Sequence, residues 1–119
     1  MDREGPIQEA IVTFIYGVVP GVIVQHCKNE MNRRGKSFAG EIAKATQRGL
    51  RKGFPDLVLI LPGGRVLFLE VKAPGNYPDK TQRELHDEMR ALGHIVEVVR
   101  SIDDVRAVFE KHGVLTREK

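Results

Sequence analysis

The chain contains one cysteine, Cys27, and no apolar run that approaches the length of a membrane-spanning helix. A single cysteine excludes an internal disulfide framework and a cysteine-based zinc site, and it is typical of the reducing compartments inside cells. Crossing a bilayer takes about 20 consecutive apolar residues, and the first four residues do not resemble the start of a signal peptide. We therefore expect a cytoplasmic protein without a membrane attachment.

Internal repeats and low-complexity segments are also absent, and the composition is 41% hydrophobic and 29% charged. These fractions are typical of a globular protein. A length of 119 residues supports one hydrophobic core but is short for two. We expect a single domain over residues 1–119.

The positive charge of the chain is concentrated in one segment. Residues 28–52 hold eight basic residues against two acidic ones, a net charge of +6, so the other 94 residues sum to −3. This segregation favours a segment that faces a polyanion, although a solvated loop and helix would have the same composition. The candidate DNA contacts are Lys28, Arg33, Arg34, Lys36, Lys44, Arg48, Arg51 and Lys52.

Hydrophobic periodicity predicts, in order, a helix, a strand, a weak helix, two hairpin strands, a helix, a strand and a helix. The hairpin consists of the apolar run Leu57–Leu61, the turn Pro62–Gly64 and a second strand over residues 66–71. The strand at residues 95–99 returns through a helix and should lie parallel to a neighbour. This pattern predicts an α/β fold with a central mixed sheet of about four strands flanked by helices.

The hairpin brings two acids and a lysine together. A three-residue turn pairs Leu61 with Arg65, and hence Asp56 with Glu70. Opposed residues have Cβ atoms roughly 4.5–5.5 Å apart, and Lys72 points to the same face as Glu70. Two carboxylates around one lysine favour a hard, oxygen-loving ion such as Mg²⁺ or Mn²⁺. The alternative is a salt-bridged strand end without a metal.

Helical phase selects two further polar residues. Glu4 continues the apolar stripe of the first helix and should face the sheet, whereas Glu9 lies on the opposite side and should be solvated. Gln82 shares the inward face of its helix with Leu85 and Met89. It could cap the helix and hold the preceding loop, or line an active site. The four histidines lack metal-ligand spacing, and we expect isolated packing or surface roles for His26, His86, His94 and His112.

These residues resemble the VRR-Nuc (virus-type replication-repair nuclease) branch of the PD-(D/E)XK nuclease superfamily. The matching stretch is Lys52-Gly53-Phe54-Pro55-Asp56, thirteen intervening residues and Glu70-Val71-Lys72-Ala73-Pro74-Gly75. Gln82, Ala91-Leu92-Gly93 and the N-terminal Glu4-Gly5-Pro6-Ile7-Gln8 also fit the family pattern.

The resemblance implies a restriction-endonuclease-like core. It further implies metal ligation by Asp56, Glu70 and the Val71 carbonyl, with Glu4 nearby, and a catalytic role for Lys72. Small members of this kind are associated with homodimers that cut branched DNA, including Holliday junctions, whereas larger eukaryotic relatives act on flaps. A chain of this length would be a standalone, virus-type member.

We therefore expect a Mg²⁺- or Mn²⁺-dependent, structure-specific DNA endonuclease, with Asp56, Glu70, Lys72 and Gln82 at the catalytic site. The metal would lower the pKa of a water and polarise the scissile phosphate, and Lys72 would offset the developing charge. No base-reading motif is present, which favours recognition of DNA shape. The alternatives are a flap or general DNA nuclease, a sequence-specific restriction enzyme, a non-catalytic nucleic-acid-binding module, and an α/β domain with a fortuitous ion pair.

Overall fold

A computed structural model of the protein describes residues 2–27 and 38–118. Its helices and strands follow one another in the predicted order: α1 (Glu4–Val18), β1 (Ile23–His26), α2 (Phe38–Gln47), β2 (Leu57–Leu61), β3 (Arg65–Val71), α3 (Lys80–Ala91), β4 (Ile95–Val99) and α4 (Ile102–Lys111). A short 3₁₀ turn, Pro62–Gly64, joins β2 to β3. Within these residues, no helix combines the length and hydropathy that crossing a bilayer requires.

The four strands form one mixed sheet in the order β1-β2-β3-β4. β1 and β3 both run antiparallel to β2, and β4 runs parallel to β3. The parallel pair needs a crossover connection, which α3 supplies. The predicted α/β fold, with a central mixed sheet of four strands flanked by helices, is confirmed.

The β2–β3 hairpin has the predicted register. Leu61 is paired with Arg65 across the turn, and Leu57 is paired with Leu69 at the other end. Gly63 and Gly64 have φ angles of +79° and +74°, a region in which only glycine is free of steric cost. The three-residue turn therefore depends on these glycines, and it fixes which residues of the two strands face each other.

Two hydrophobic clusters cover the two faces of the sheet. The larger cluster lies between the sheet and helices α1 and α4; its central members are Ile11, Ile15, Leu57, Leu59, Leu67, Leu69, Val105 and Phe109. The smaller one joins α3 to the other face and contains Leu85, Met89 and Val96, with Phe54 and Phe68 packed against it. A fully buried side chain of this size contributes about 1.5–3 kcal/mol.

Alternation along β3 places its one buried acid on the α3 face. Leu69 and Val71 belong to the larger cluster under α1 and α4. Since successive strand residues point to opposite faces, Glu70 points toward α3. The fold therefore positions an acidic side chain between the sheet and the first turns of that helix.

Candidate active site

Asp56 and Glu70 lie at the same end of the sheet. Asp56 immediately precedes β2, and continuing the register from the Leu57–Leu69 pair places it opposite Glu70. The Oδ2 atom of Asp56 accepts a hydrogen bond from the backbone N–H of Val71 at 2.7 Å. This bond closes the hairpin end and holds the Asp56 carboxylate against β3.

The Glu70 side chain is almost completely buried, with 1% of its surface exposed, and three side chains contact it besides Asp56. Gln82 Nε2 donates to Glu70 Oε2 at 3.2 Å, and Lys72 Nζ lies 3.8 Å from the same oxygen. His86 Nε2 lies 3.3 Å from the other oxygen, Oε1. The acid, the lysine and two residues of α3 thus converge as a group.

His86 corrects the expectation of an isolated packing role. Its imidazole is buried beside Glu70, and the 3.3 Å pair lacks the alignment of a hydrogen bond, so neither His86 Nε2 nor Glu70 Oε1 has a hydrogen-bond partner among the described residues. Unpaired buried polar atoms are costly in a folded protein. Sequence reasoning missed this residue, although one signal was available: His86 lies four positions after Gln82, on the same helical face.

Gln82 caps α3 and holds the end of the preceding loop, which is the structural role that the sequence left open beside that of lining an active site. Its Oε1 accepts a hydrogen bond from the Asp79 backbone N–H at 2.9 Å, and Asp79 Oδ1 accepts one from the Gln82 backbone N–H at 2.8 Å. This capping box satisfies two backbone donors at the start of α3. The amide nitrogen of Gln82 contacts Glu70, so a single side chain links the start of α3 to the acid.

Glu4 faces the same end of the sheet from the first turn of α1, as its helical phase predicted, and Glu9 is exposed. Glu4 Oε2 accepts a hydrogen bond from the Ala73 backbone N–H at 3.2 Å, just beyond Lys72. The negative charge of Glu4 contributes to the raised pKa of Glu70. Glu4 is therefore close enough to influence the acid pair.

Burial and the charge of Glu70 together raise the pKa of Asp56 to about 7, although the Val71 N–H and Lys72 oppose the shift. Burial likewise raises the pKa of Glu70 to about 7; the hydrogen bond with Asp56 and the charge of Lys72 oppose this shift. Both carboxylates are thus poorly compensated as anions, and a cation bound between them would relieve this strain.

The donor set at this end of the sheet fits a hard divalent cation. Asp56 and Glu70 offer carboxylate oxygens, and the Val71 N–H that contacts Asp56 implies that the Val71 carbonyl points to the same side of β3. In the described parts of the chain, no three His, Cys, Asp or Glu side chains form a ready metal-binding cluster. Mg²⁺ typically takes one or two carboxylates and keeps several waters, so two acids and a carbonyl are a sufficient protein contribution.

The segment before Asp56 approaches α3 closely. A Cβ atom on Gly53 would lie 3.0 Å from the Thr81 carbonyl oxygen and 3.1 Å from the Gln82 nitrogen. Glycine is therefore required where this segment contacts the start of α3. Lys52, one residue earlier, is exposed and lies beside Thr81 and Glu84 of α3.

The structure covers half of the eight proposed DNA contacts. Lys44 and Arg48 are exposed on α2 and just after it, and Arg51 forms an ion pair with Glu88 of α3 at 2.8 Å. The remaining residues fall outside the described part of the chain: Lys28, Arg33, Arg34 and Lys36. Of the basic segment, the structure thus brings the stretch at Arg51 and Lys52 alongside α3.

Comparison with known proteins identifies the family. The model of the VRR-NUC domain matches residues 10–103, which include both acids of the site, Lys72 and the two residues of α3 that contact Glu70. This chain belongs to the VRR-NUC domain family. The family assignment predicted from the sequence is therefore confirmed, and VRR-NUC domains are a nuclease class.

Individual relatives agree with this assignment. A protein named "Putative nuclease p44", from Acyrthosiphon pisum secondary endosymbiont phage 1, is 45% identical over 53 residues, which are 44% of this VRR-NUC chain and 57% of the relative. A solved structure described as "VRR_NUC domain" is 27% identical with a TM-score of 0.64, over 92% of this chain and 97% of its own. Another, a "VRR_NUC domain protein", has the same TM-score at 20% identity over 90% and 84%, and it supports the fold alone.

Proposed function

We propose that this protein is a metal-dependent, structure-specific DNA endonuclease that hydrolyses phosphodiester bonds. The observation that carries the proposal is the pair of half-buried Asp56 and fully buried Glu70, with the Lys72 ammonium 3.8 Å from Glu70. Membership of the VRR-NUC family supports the nuclease class. Withdrawing one acid fully and a second partly from solvent beside one lysine is costly unless the site binds something cationic, and this favours a functional site over a structural ion pair.

We propose that Asp56, Glu70 and the Val71 carbonyl hold Mg²⁺ or Mn²⁺, with Glu4 at the edge of the site. When bound, such an ion polarises a phosphoryl oxygen and lowers the pKa of a water. The Lys72 ammonium orients the attacking water and offsets the charge that develops on the phosphate. Lys72 is half-buried, so its charge acts with less screening by solvent than a surface lysine would have.

Gln82 and His86 act through Glu70 rather than on the DNA. They approach the two different oxygens of the Glu70 carboxylate from successive turns of α3. Residues that hold a metal-binding carboxylate in this way orient it and tune its affinity. We assign both residues positioning roles, with Gln82 also closing the N-terminal cap of α3.

The basic stretch around Arg51 and Lys52 is proposed to neutralise phosphates on either side of the cut. We further propose that the protein acts as a homodimer on branched DNA such as Holliday junctions, inside a cell. A two-fold axis would present two identical sites to two strands, as symmetric incision of a junction requires. The resemblance to small family members that are associated with homodimers supports this assembly.

A cleavage assay tests the proposal. Labelled four-way junction, flap, duplex and single-stranded DNA are each incubated with Mg²⁺, Mn²⁺ or EDTA. We expect cutting with either metal, none in EDTA, and a loss of about 100-fold or more in rate for Lys72→Ala. Lys111→Ala is the matched control, because it removes an exposed lysine of α4 that pairs with Glu97. Cutting that persists in EDTA or in Lys72→Ala would contradict the mechanism, and equal cutting of all substrates would contradict structure specificity.

A further inference from the structure

The loop over residues 73–79 has both of its ends in the proposed active site. It begins directly after Lys72 and ends at Asp79, the cap residue that holds Gln82. Near its start, the Arg3 guanidinium donates to the Pro74 carbonyl at 3.0 Å, and Glu4 accepts from the Ala73 N–H. The loop is therefore a fixed wall of the site.

Tyr77 lies on this wall and is 75% exposed. The guanidinium of Arg100 stacks on its ring, with 4.9 Å between Cζ and the ring centroid. Arg100 also donates to the Asn76 carbonyl at 2.8 Å, and its own backbone N–H donates to Asp104 Oδ2 at 2.7 Å. The arginine is thus anchored in the β4–α4 turn and holds the tyrosine in one orientation.

The Tyr77–Arg100 pair lies close to the catalytic lysine. Arg100 follows Val99 at the end of β4, and the Val99 carbonyl accepts a hydrogen bond from the Lys72 backbone N–H at 3.0 Å. Lys72 and Arg100 are therefore neighbours across the parallel pair of strands. The loop that carries Tyr77 begins directly after Lys72, so the pair is joined to Lys72 both along the chain and across the sheet.

A ring held this way is suited to stacking with a nucleobase. One face of Tyr77 is taken by a cation, and most of its surface is open to solvent, so the ring gains little from burial within the protein. Stacking of a base on a protein aromatic contributes about 1–3 kcal/mol and tolerates any base. Paired bases inside a duplex have no free face, so such a contact selects DNA with an unpaired base.

We propose that Tyr77, backed by Arg100, forms a stacking platform for an unpaired nucleobase beside the scissile phosphate. The proposal rests on the proposed nuclease function and extends it, because it assigns the preference for branched or flapped DNA to named residues. Substrate selection then comes from the loop wall, without sequence-specific base contacts.

A binding experiment in the Lys72→Ala background tests the platform without relying on cleavage. Dissociation constants are measured for a flap with an unpaired base at the branch and for the matched full duplex. We expect Tyr77→Ala to weaken flap binding about 5- to 150-fold and to leave duplex binding unchanged, while Tyr77→Phe and Tyr77→Trp retain flap binding. Leu92→Ala is the control, since it removes another exposed apolar side chain, 79% exposed, at the far end of α3.

Photo-crosslinking locates the contact directly. 5-Iodouracil in the unpaired position of the flap should crosslink to Tyr77, as mapped by mass spectrometry. Equal weakening of flap and duplex by Tyr77→Ala, or an unchanged flap affinity, would overturn the platform, because a tyrosine that only fastens the loop has no preference for unpaired bases. If the wild-type protein does not cut but the crosslink forms, the nuclease proposal fails and the platform stands. If it cuts but no crosslink forms, the nuclease proposal stands and the platform fails.

Discussion

At the scale of single residues, the carboxyl groups of Asp56 and Glu70 bind protons more tightly in the folded chain than in the unfolded chain. Burial raises the pKa of both carboxyl groups to about 7, from ordinary values of 3.8 and 4.5, and the charge of Glu70 adds to the shift at Asp56. At a pH between the ordinary and the raised pKa values, these carboxyl groups stay protonated in the metal-free folded protein but are ionised in the unfolded chain. A folded state that binds more protons loses stability as the pH rises.

We therefore predict that, in EDTA, the melting temperature falls as the pH is raised from 5 to 8. Asp56→Asn should flatten this dependence and raise the melting temperature at pH 8, because it removes one of the two closely placed negative charges. Excess Mg²⁺ at pH 8 should restore much of the loss, since an ion that binds only the folded state stabilises it. Calorimetry across the pH series measures this, and a melting temperature that rises between pH 5 and 8 would contradict it.

At the scale of secondary structure elements, the hairpin could be predicted because its determinants are local. The turn length fixes the register within a few residues of sequence, and two adjacent glycines mark the turn. That register alone placed Asp56 opposite Glu70, and helical phase placed Glu4 toward the sheet. Each of these inferences needs only the period of one element and its nearest turn.

The contacts of α3 could not be predicted in the same way. Helical phase put Gln82 on the inward face, but it gave no information about which strand residue that face meets. The proximity of His86 to Glu70 depends on how α3 is rotated and placed over β3, and the Gly53 contact with the start of α3 helps to set that placement. Packing between distant segments decides such contacts, and a single sequence carries little signal for them.

The contacts of Gln82 and His86 with Glu70 predict that changes in α3 alter metal affinity, and the cap of α4 provides a comparison. Asp79→Ala and Ser101→Ala each remove an N-cap, of α3 and α4 respectively, and each should cost about 1 kcal/mol of stability. Only Asp79→Ala also loosens the first turn of the helix that carries Gln82 to Glu70, because it removes the acceptor of the Gln82 backbone N–H; the Asp79 backbone N–H that donates to Gln82 Oε1 remains. We predict about a tenfold loss of Mn²⁺ affinity for Asp79→Ala and for His86→Leu, and none for Ser101→Ala.

Titration calorimetry with Mn²⁺ in the absence of DNA measures these affinities. Asp79→Asn separates charge from capping, because asparagine still caps the helix while its negative charge is gone. Met89→Leu is the volume-conserving control for His86→Leu, one turn farther along the buried face of α3. If Asp79→Ala and Ser101→Ala lost the same Mn²⁺ affinity, the α3 cap would affect the site only through the overall stability of the fold.

At the scale of the whole molecule, the two ends of the sheet have different surroundings. The acids, Lys72 and the loop over residues 73–79 lie at one end. At the other end, Arg65 beside the hairpin turn donates to the carbonyls of His112 and Gly113 after α4, and the Arg117 N–H donates to Val18 at the end of α1. Basic residues at the two ends should therefore differ in their access to bound DNA.

This difference predicts how DNA binding depends on salt. Each phosphate that a basic residue neutralises adds about 0.9 to the slope of log affinity against log salt, because counterions are released from the duplex. Lys44 and Arg48 belong to the α2 segment that leads to Lys52 and α3, so we predict that Lys44→Gln with Arg48→Gln lowers the slope by about 2. Lys111→Gln with Arg117→Gln removes the same charge at the far end of the molecule and should leave the slope unchanged.

Fluorescence anisotropy with Lys72→Ala protein over a salt series measures both slopes. Similar changes from the two pairs would indicate that only net charge attracts DNA, whereas a change confined to the first pair would support DNA contacts on the α2 side of the site.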